Sequence, residues 1–386
     1  MRILHCCLAN VYIDNYGYQE NILPKIHKNQ GHEVRIIAST ETYINNKRLG
    51  YVAPSSYFTS DNIPITRIPY TNLLPHFFVK KLRIYIGLTK VLKEFNPDII
   101  FLHDVQFISV KEIAKYAQEN DVKIYADSHT DYMNSAKNWV SKNILHKIIY
   151  KWCTKKIEPY VIKFWGVTPS RKDFLIDFYN VNPAKVGLLV MGIDDSNINF
   201  RRRNLIRKEI RTKLNIDENQ FVIITGGKIV KRKNIHLLME AVNELKTYNL
   251  KLIIFGSISD EIKPEIDRLS NSSNILNLGW QNTNDIYDLF FASDLAVFPG
   301  AHSVLWEQAV GIGLPAIFKK YKGYEHIDIG GNCIFFDEVN MEGIKKSILS
   351  VLENKKLFET MKRVAEEKGI MEFSYSEIAK KAIEIT

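Results

Sequence analysis

Short, fully apolar runs separated by segments of helical period recur along this chain, and they restrict it to one broad class of fold. In the first half they are RILHCCLA (2–9), VRIIAS (34–39), DIIFLH (98–103), VKIYAD (122–127) and FWGVTP (164–169). Strands that are apolar on both faces and alternate with helices belong to parallel sheets covered on both sides. The polar, Arg-rich segment DDSNINFRRRNLIRKEIRTKL (194–214) carries no strand signal. The alternation then restarts with FVIITGG (221–227), LKLIIFGS (250–257), NILNLG (274–279), SDLAVFPG (293–300) and PAIFKK (315–320). At 386 residues the chain is long enough for two domains, each burying its own core. The expectation is an α/β protein of two doubly wound, Rossmann-like domains facing each other across a cleft.

Composition excludes several functions. No window approaches the roughly 18 apolar residues of a membrane span. The N-terminus runs into a strand-like segment without a signal-peptide pattern, so cytoplasmic residence is expected. Cys6, Cys7, Cys153 and Cys333 form no CxxC and no metal-ligand spacing, which reads as buried, reduced thiols. The excess of 52 Lys+Arg over 43 Asp+Glu gives a formal charge of +9 and suits a phosphate-bearing partner or an anionic surface. The basic residues are not interleaved along a nucleic-acid recognition module, so no nucleic-acid partner is expected.

Ligands of doubly wound sheets bind beyond the carboxyl ends of the strands, and four loops there carry chemistry-bearing residues. DNYGYQENILPKIHKNQGHEV places Gly17 before a helix that ends near Gly31, where a bare backbone lets a phosphate or sugar approach. GGKIVKRKNIHLLMEAV (226–242) sets Gly227, Lys228, Lys231, Arg232 and Lys233 ahead of an amphipathic helix, a set suited to a diphosphate or to a solvated basic turn. YADSHTDYMN holds His129 between Asp127 and Asp131, and such carboxylates orient an imidazole in structural as well as functional settings. FPGAHSVLWEQAVGIGLP (298–315) has a Gly300-Ala301-His302-Ser303 turn and then a short helix, with Ser303 expected to cap it. Glu307, one turn in, suits a diol such as ribose. Trp306 is expected in the core.

This last loop resembles the donor-binding segment of the retaining glycosyltransferases of family 4 (glycosyltransferase group 1 type), which have the GT-B fold. The resemblance covers most of the chain. GYQENILPKIHKNQGHEVRIIAS looks like that family's first helix and second strand, and GGKIVKRKNIHLLMEAV like its phosphate-binding segment, with Lys228 where Arg is usual and Lys233 at the usual Lys. GLLVMGID (187–194) looks like the strand leading to the interdomain linker, and FSYSEIAKKAIEI (373–385) like the final helix. One position departs from the pattern: Pro299 stands where the family has the first Glu of its Glu-x7-Glu pair.

The resemblance implies an N-terminal, acceptor-side domain over 1–200, completed by a helix at 372–386, and a nucleotide-sugar-binding domain over 201–371. It implies a retaining hexosyltransferase that takes a nucleotide-sugar donor, most simply a UDP-sugar, and a glycan acceptor. His129, Lys228, Lys233 and Glu307 are its candidate catalytic residues, and Gly17, Gly227, Gly300, Ala301, His302 and Ser303 its candidate donor-binding residues. No cofactor and no metal is expected, because two lysines supply the countercharge and no Asp-x-Asp stands in a donor loop. A sugar-nucleotide epimerase of the same fold and a non-catalytic nucleotide- or glycan-binding subunit are the alternatives. Segments 76–93 and 138–165 combine lysines with Phe77, Phe78, Trp139 and Trp152. That pattern suits peripheral attachment to an anionic membrane that carries a lipid-linked acceptor.

Overall fold

The computed structural model describes residues 1–44, 48–132, 135 and 138–384; the end of the expected closing helix, 385–386, and positions 133–134 of the His129 segment lie outside them. The chain divides into two compact units, Met1–Val190 with Ala379–Thr386, and Met191–Ile378.

In the N-terminal unit the strands are β1 (Arg2–Cys7), β2 (Glu33–Ser39), β3 (Glu41–Ile44), β4 (Arg48–Tyr51), β5 (Ser55–Phe58), β6 (Pro64–Ile68), β7 (Ile99–His103), β8 (Lys123–Ser128), β9 (Val161–Gly166) and β10 (Val186–Leu188), of which β1, β2, β7, β8 and β9 fall at the five apolar runs. One sheet runs in the order β10-β9-β8-β7-β1-β2-β6-β5, and β3 and β4 form a separate antiparallel ribbon. The sheet is parallel except at its edge, where β5 pairs antiparallel with β6. This corrects the all-parallel expectation. The signal was weak because SSYF is exposed at Ser55, Ser56 and Phe58 and half-buried only at Tyr57, instead of being apolar throughout. Leu4, Cys6, Ile100, Leu102, Phe107 and Phe164 lie at the centre of the core. All four cysteines are buried free thiols, and burial pushes Cys153 up to about 12.

The C-terminal unit contains β11 (Phe221–Gly226), β12 (Leu250–Phe255), β13 (Ile275–Asn277), β14 (Leu295–Phe298), β15 (Ala316–Lys319) and β16 (Cys333–Phe336). Their order is β13-β12-β11-β14-β15-β16, all parallel. Strand order therefore reverses between β11 and β14, which is where a doubly wound sheet opens a crevice for a ligand.

The Arg-rich segment has a structural use. Helix Arg203–Lys213 sends Arg207 and Arg211 to the two oxygens of Asp294, at 2.6 and 2.7 Å. The same carboxylate accepts the Val222 N–H at 2.8 Å, so Asp294 ties this helix to β11 and to the start of β14. Arg211 is buried and also donates to the Ala292 and Gln220 carbonyls. Removing the carboxylate strands a buried guanidinium, so Asp294→Ala should destabilise the C-terminal unit by about 3 kcal/mol. Urea unfolding followed by tryptophan fluorescence reads this; an unchanged transition would leave Asp294 without a structural role.

Candidate functional site

The loops that leave β11 and β14 meet at the reversal of strand order. Gly227 follows β11 with φ +102°, in the left-handed region, and a Cβ there would stand 3.0 Å from Leu305 Cδ1. At Gly300 a Cβ would lie 2.4 Å from the Lys233 Cα, so only glycine lets the two loops touch through their backbones. Around that contact the Ala301 N–H donates to the Arg232 carbonyl at 3.4 Å and Asn234 Nδ2 to the Pro299 carbonyl at 3.1 Å. Lys233 Nζ donates to the carbonyls of Ala301 and of His302. Burial, and then the neighbouring Arg232, lower Lys233 to about 8, against a smaller opposing pull from Glu307. Lys228, Lys231 and Arg232 are exposed along the same loop.

Glu307 sits in helix Leu305–Gly311 with its side chain wholly buried. Its Oε1 accepts from His302 Nε2 at 2.7 Å and from His326 Nε2 at 2.9 Å. Its Oε2 is buried and has no hydrogen-bond partner among the described residues. Burial would raise this carboxyl, but the two imidazoles, His302 foremost, hold it well below the usual carboxylate range. Ser303 is not the helix cap. Val304 occupies that place without a side-chain cap, because the carbonyl of Ser303, not its hydroxyl, receives the Trp306 N–H at 3.0 Å. Ser303 Oγ is buried and likewise has no partner among the described residues. Trp306 is in the core, stacked on Phe318 with ring centroids 4.5 Å apart.

His326 is the residue that sequence reasoning missed. It lies in the turn Glu325–Ile327, within YKGYEHIDIGGN after β15. The rule that led to the other loops, to look beyond each strand's carboxyl end, would have reached it on the next strand. Ligating atoms of His302, Glu307 and His326 all lie within 4.8 Å of one another, a donor set in principle able to hold a metal. The two nitrogens already stand at hydrogen-bond distance from one carboxylate oxygen. A metal at about 2.0–2.2 Å from each would need both lone pairs turned inward, at the expense of both hydrogen bonds.

The other two candidates belong to the N-terminal unit. Gly17 is half-buried in the loop before helix Gln19–Asn29. His129 follows β8, with its Nε2 3.6 Å from Asp127 Oδ2 and its N–H donating to Asp104 Oδ2 at 3.4 Å. Burial opposes its charge, but the Asp127 carboxylate outweighs burial and raises it above the ordinary imidazole value. Asp131 pairs with Arg171 Nε at 3.2 Å. The structure therefore gathers Gly227, Lys233, Gly300, Ala301, His302, Ser303 and Glu307 at the reversal of strand order, with Lys228 on its exposed loop, and places Gly17 and His129 in loops that follow strands of the other unit.

Residues 206–368 match the family described as glycosyl transferases group 1. The processive diacylglycerol alpha-glucosyltransferase of Acholeplasma laidlawii is 22% identical over 279 residues, covering 68% of this chain and 81% of that protein. Among solved structures, a glycosyltransferase from Rickettsia africae ESF-5 superposes with a TM-score of 0.71 at 16% identity, over 100% of this chain and 97% of its own. WaaG, a glycosyltransferase involved in lipopolysaccharide biosynthesis, gives 0.67 at 17% identity, over 100% and 99%. The fold is that of the GT-B glycosyltransferases.

The lowered Lys233 makes a pH prediction. An anion held by this ammonium must bring a proton with it once the pH passes about 8. Affinity for sulfate, whose own charge is constant over this range, should therefore be flat below that pH and fall about tenfold per unit above it. Calorimetry in buffers of different ionisation enthalpy should show proton uptake in the same range. Flat affinity up to pH 9.5 would exclude Lys233 as a contact.

Proposed function

Taking the group 1 glycosyltransferase match over 206–368 as the premise, we propose that this chain is a retaining glycosyltransferase. It moves a sugar from a nucleotide diphosphate sugar, a UDP-sugar first, to a hydroxyl of a glycan acceptor carried on a lipid. The observation that carries the reading is Glu307 Oε2. A buried carboxylate oxygen without a donor among the described residues is costly, and the diol of a nucleotide ribose has hydroxyl donors to offer it. His302 and His326 hold the other oxygen, so the free one is fixed in place for the ligand.

In the reaction, negative charge develops on the outer phosphate as the sugar leaves. Lys233 and Lys228 stabilise it, and no metal is invoked. Transfer on the same face lets the departing phosphate oxygen take the acceptor's proton, so no enzymic general base is needed. Gly227 and Gly300 to Ser303 surround the sugar-phosphate end, Gly17 gives it a second bare backbone, and His129 contacts the donor sugar. The lipid-linked acceptor is supported by the diacylglycerol in the name of the A. laidlawii relative.

Incubation with a panel of nucleotide sugars, with and without lipid-linked acceptors, tests this. Nucleotide diphosphate release that depends on acceptor is expected, and a chelator should not abolish it. Interconversion of the donor alone would indicate an epimerase, and binding without turnover a non-catalytic subunit. Glu307→Gln should weaken UDP binding by about 1.5–3 kcal/mol, roughly ten- to hundredfold. Unchanged affinity would remove Glu307 from the site.

We further propose that the N-terminal unit docks on an anionic membrane. No helix among the described residues is long and apolar enough to cross one. Val140, Ile144, Ile148 and Trp152 form an exposed apolar row at four-residue spacing along Ser141–Tyr150, a helix of π type, and its continuation Lys151–Ile157. Phe77 and Phe78 are exposed on helix His76–Leu82, which adjoins it through a 2.7 Å hydrogen bond from Tyr150 Oη to the Lys81 carbonyl. Lysines beside such a surface contribute about 1 kcal/mol each near anionic lipid. Lys80 is a poor probe because it pairs with the buried Glu41. Co-sedimentation with vesicles should rise with anionic lipid, fall with salt, and weaken on Lys81→Glu, Lys147→Glu and Lys151→Glu combined. Equal recovery in the supernatant with neutral and anionic vesicles would favour a soluble acceptor.

A further inference from the structure

Three histidines no part of the proposed reaction uses lie in line inside the N-terminal unit. Period-two geometry puts them there. His5 on β1 is in register with Phe101 on β7, so His103, two residues on, shares its face, and His103 is in register with Asp127 on β8. His27 comes from helix Gln19–Asn29, and Ala379 from the last turn of helix Tyr375–Ala382, where a carbonyl has no partner within the helix. All three imidazoles are wholly buried. The chain of contacts runs from the Ala379 carbonyl to His27 Nε2 at 2.9 Å and from His27 Nδ1 to His5 Nε2 at 3.0 Å. It continues from His5 Nδ1 to His103 Nε2 at 3.0 Å, and ends from His103 Nδ1 to Asp127 Oδ2 at 2.9 Å.

Both ends of this line are acceptors. Four hydrogen bonds need four protons, and three neutral imidazoles bring three. Either two lone pairs face each other in the core or the line holds one more proton. Asp127 is not its carrier: burial alone would raise its carboxyl, but the imidazoles of His103 and His129 outweigh burial and hold it well below the usual carboxylate range, and Gln19 Nε2 donates to Oδ2 at 3.1 Å and the Asp104 N–H to Oδ1 at 3.1 Å. A carboxylate surrounded by donors is acceptor-only, so the extra proton belongs on His103.

We infer that His27, His5 and His103 form a buried imidazole wire carrying one excess proton, and that His103 and Asp127 act as positioning residues. The wire joins the docked C-terminal helix to the carboxylate that faces His129. Burial lowers His5, and lowers His27 to about 4, which keeps these two neutral and leaves the charge beside its counter-ion. The other titratable and charged groups facing the wire are His32 beside His27, Cys7 and Asp104 beside Asp127, and Glu20 and Arg171 around His129. The inference goes beyond the proposed function and holds whether or not the chain transfers sugar.

The test is nitrogen NMR of the full chain with labelled histidine rings at pH 7.5. Among the ten histidines, His103 should have both ring nitrogens protonated, with couplings across hydrogen bonds linking it to His5 and His5 to His27. Three neutral single tautomers in the wild type would overturn the wire, and this spectrum needs no variant. Asp127→Asn should release the extra proton, leave His103 neutral, and lower the titration midpoint of His129 by about one pH unit. An unmoved His129, or a His103 still doubly protonated, would sever the link to Asp127. If that variant does not fold, the wild type decides: titrating His129 should shift the His103 nitrogens, since both face one carboxylate, and no correlated shift would overturn the coupling.

Discussion

A buried carboxylate held by imidazoles is the constraint on which each unit's centre is built. Glu307 receives His302 and His326; Asp127 receives His103 and lies near His129. Both acids are completely buried, and an isolated ionised carboxylate there would be prohibitive. The imidazoles keep the acids ionised without filling the site with long flexible cations. They also fix orientation, because each ring is anchored on an element of its own.

The architecture was legible because parallel strands announce themselves. Strands β1, β2, β7, β8, β9, β11 and β12 each overlap a short, largely apolar run, and the glycines at 227 and 300 marked the loops where backbones touch. What escaped was of two kinds. The edge strand Ser55–Phe58 and the ribbon beside it have a solvated side, so their pattern is diluted. Contacts that span a large sequence separation left no local trace. Nothing around His326 announces Glu307, nineteen residues away, and nothing in RILHCC announces that His5 meets a helix near residue 27 and a strand near residue 103. The Ser303 cap was a local rule overruled by the turn, which placed a carbonyl where the hydroxyl was expected.

The positive charge reads differently once its members are placed. Arg67 is buried against Asp14 and the carbonyls of Tyr12 and Ser39; Arg207 and Arg211 clamp Asp294; Arg171 holds Asp131. These guanidinium groups organise loops, and their multiple fixed donors suit that work better than an ammonium would. The lysines, by contrast, lie mainly on the surface, at Lys228 and Lys231 beside the crevice and at Lys147, Lys155 and Lys156 on the basic helix. Net charge alone therefore overstates how many cations are free to meet a partner.

Pro299 gives the C-terminal centre its individual character. Where the family pattern has an acid, this chain offers no side-chain acceptor, and the backbone carbonyl at 299 is engaged by Asn234. Under the proposed function, hydroxyls of the donor sugar must then be read by other groups near the turn. The backbone of Gly300 to His302 is itself held from below by Lys233. An anion that draws the Lys233 ammonium toward itself would loosen its grip on those two carbonyls and free them as acceptors. Under the proposed function, phosphate binding and sugar recognition would be coupled through this one side chain, and the glycine at 300, which lets the Lys233 backbone lie against the turn, is the condition for that coupling.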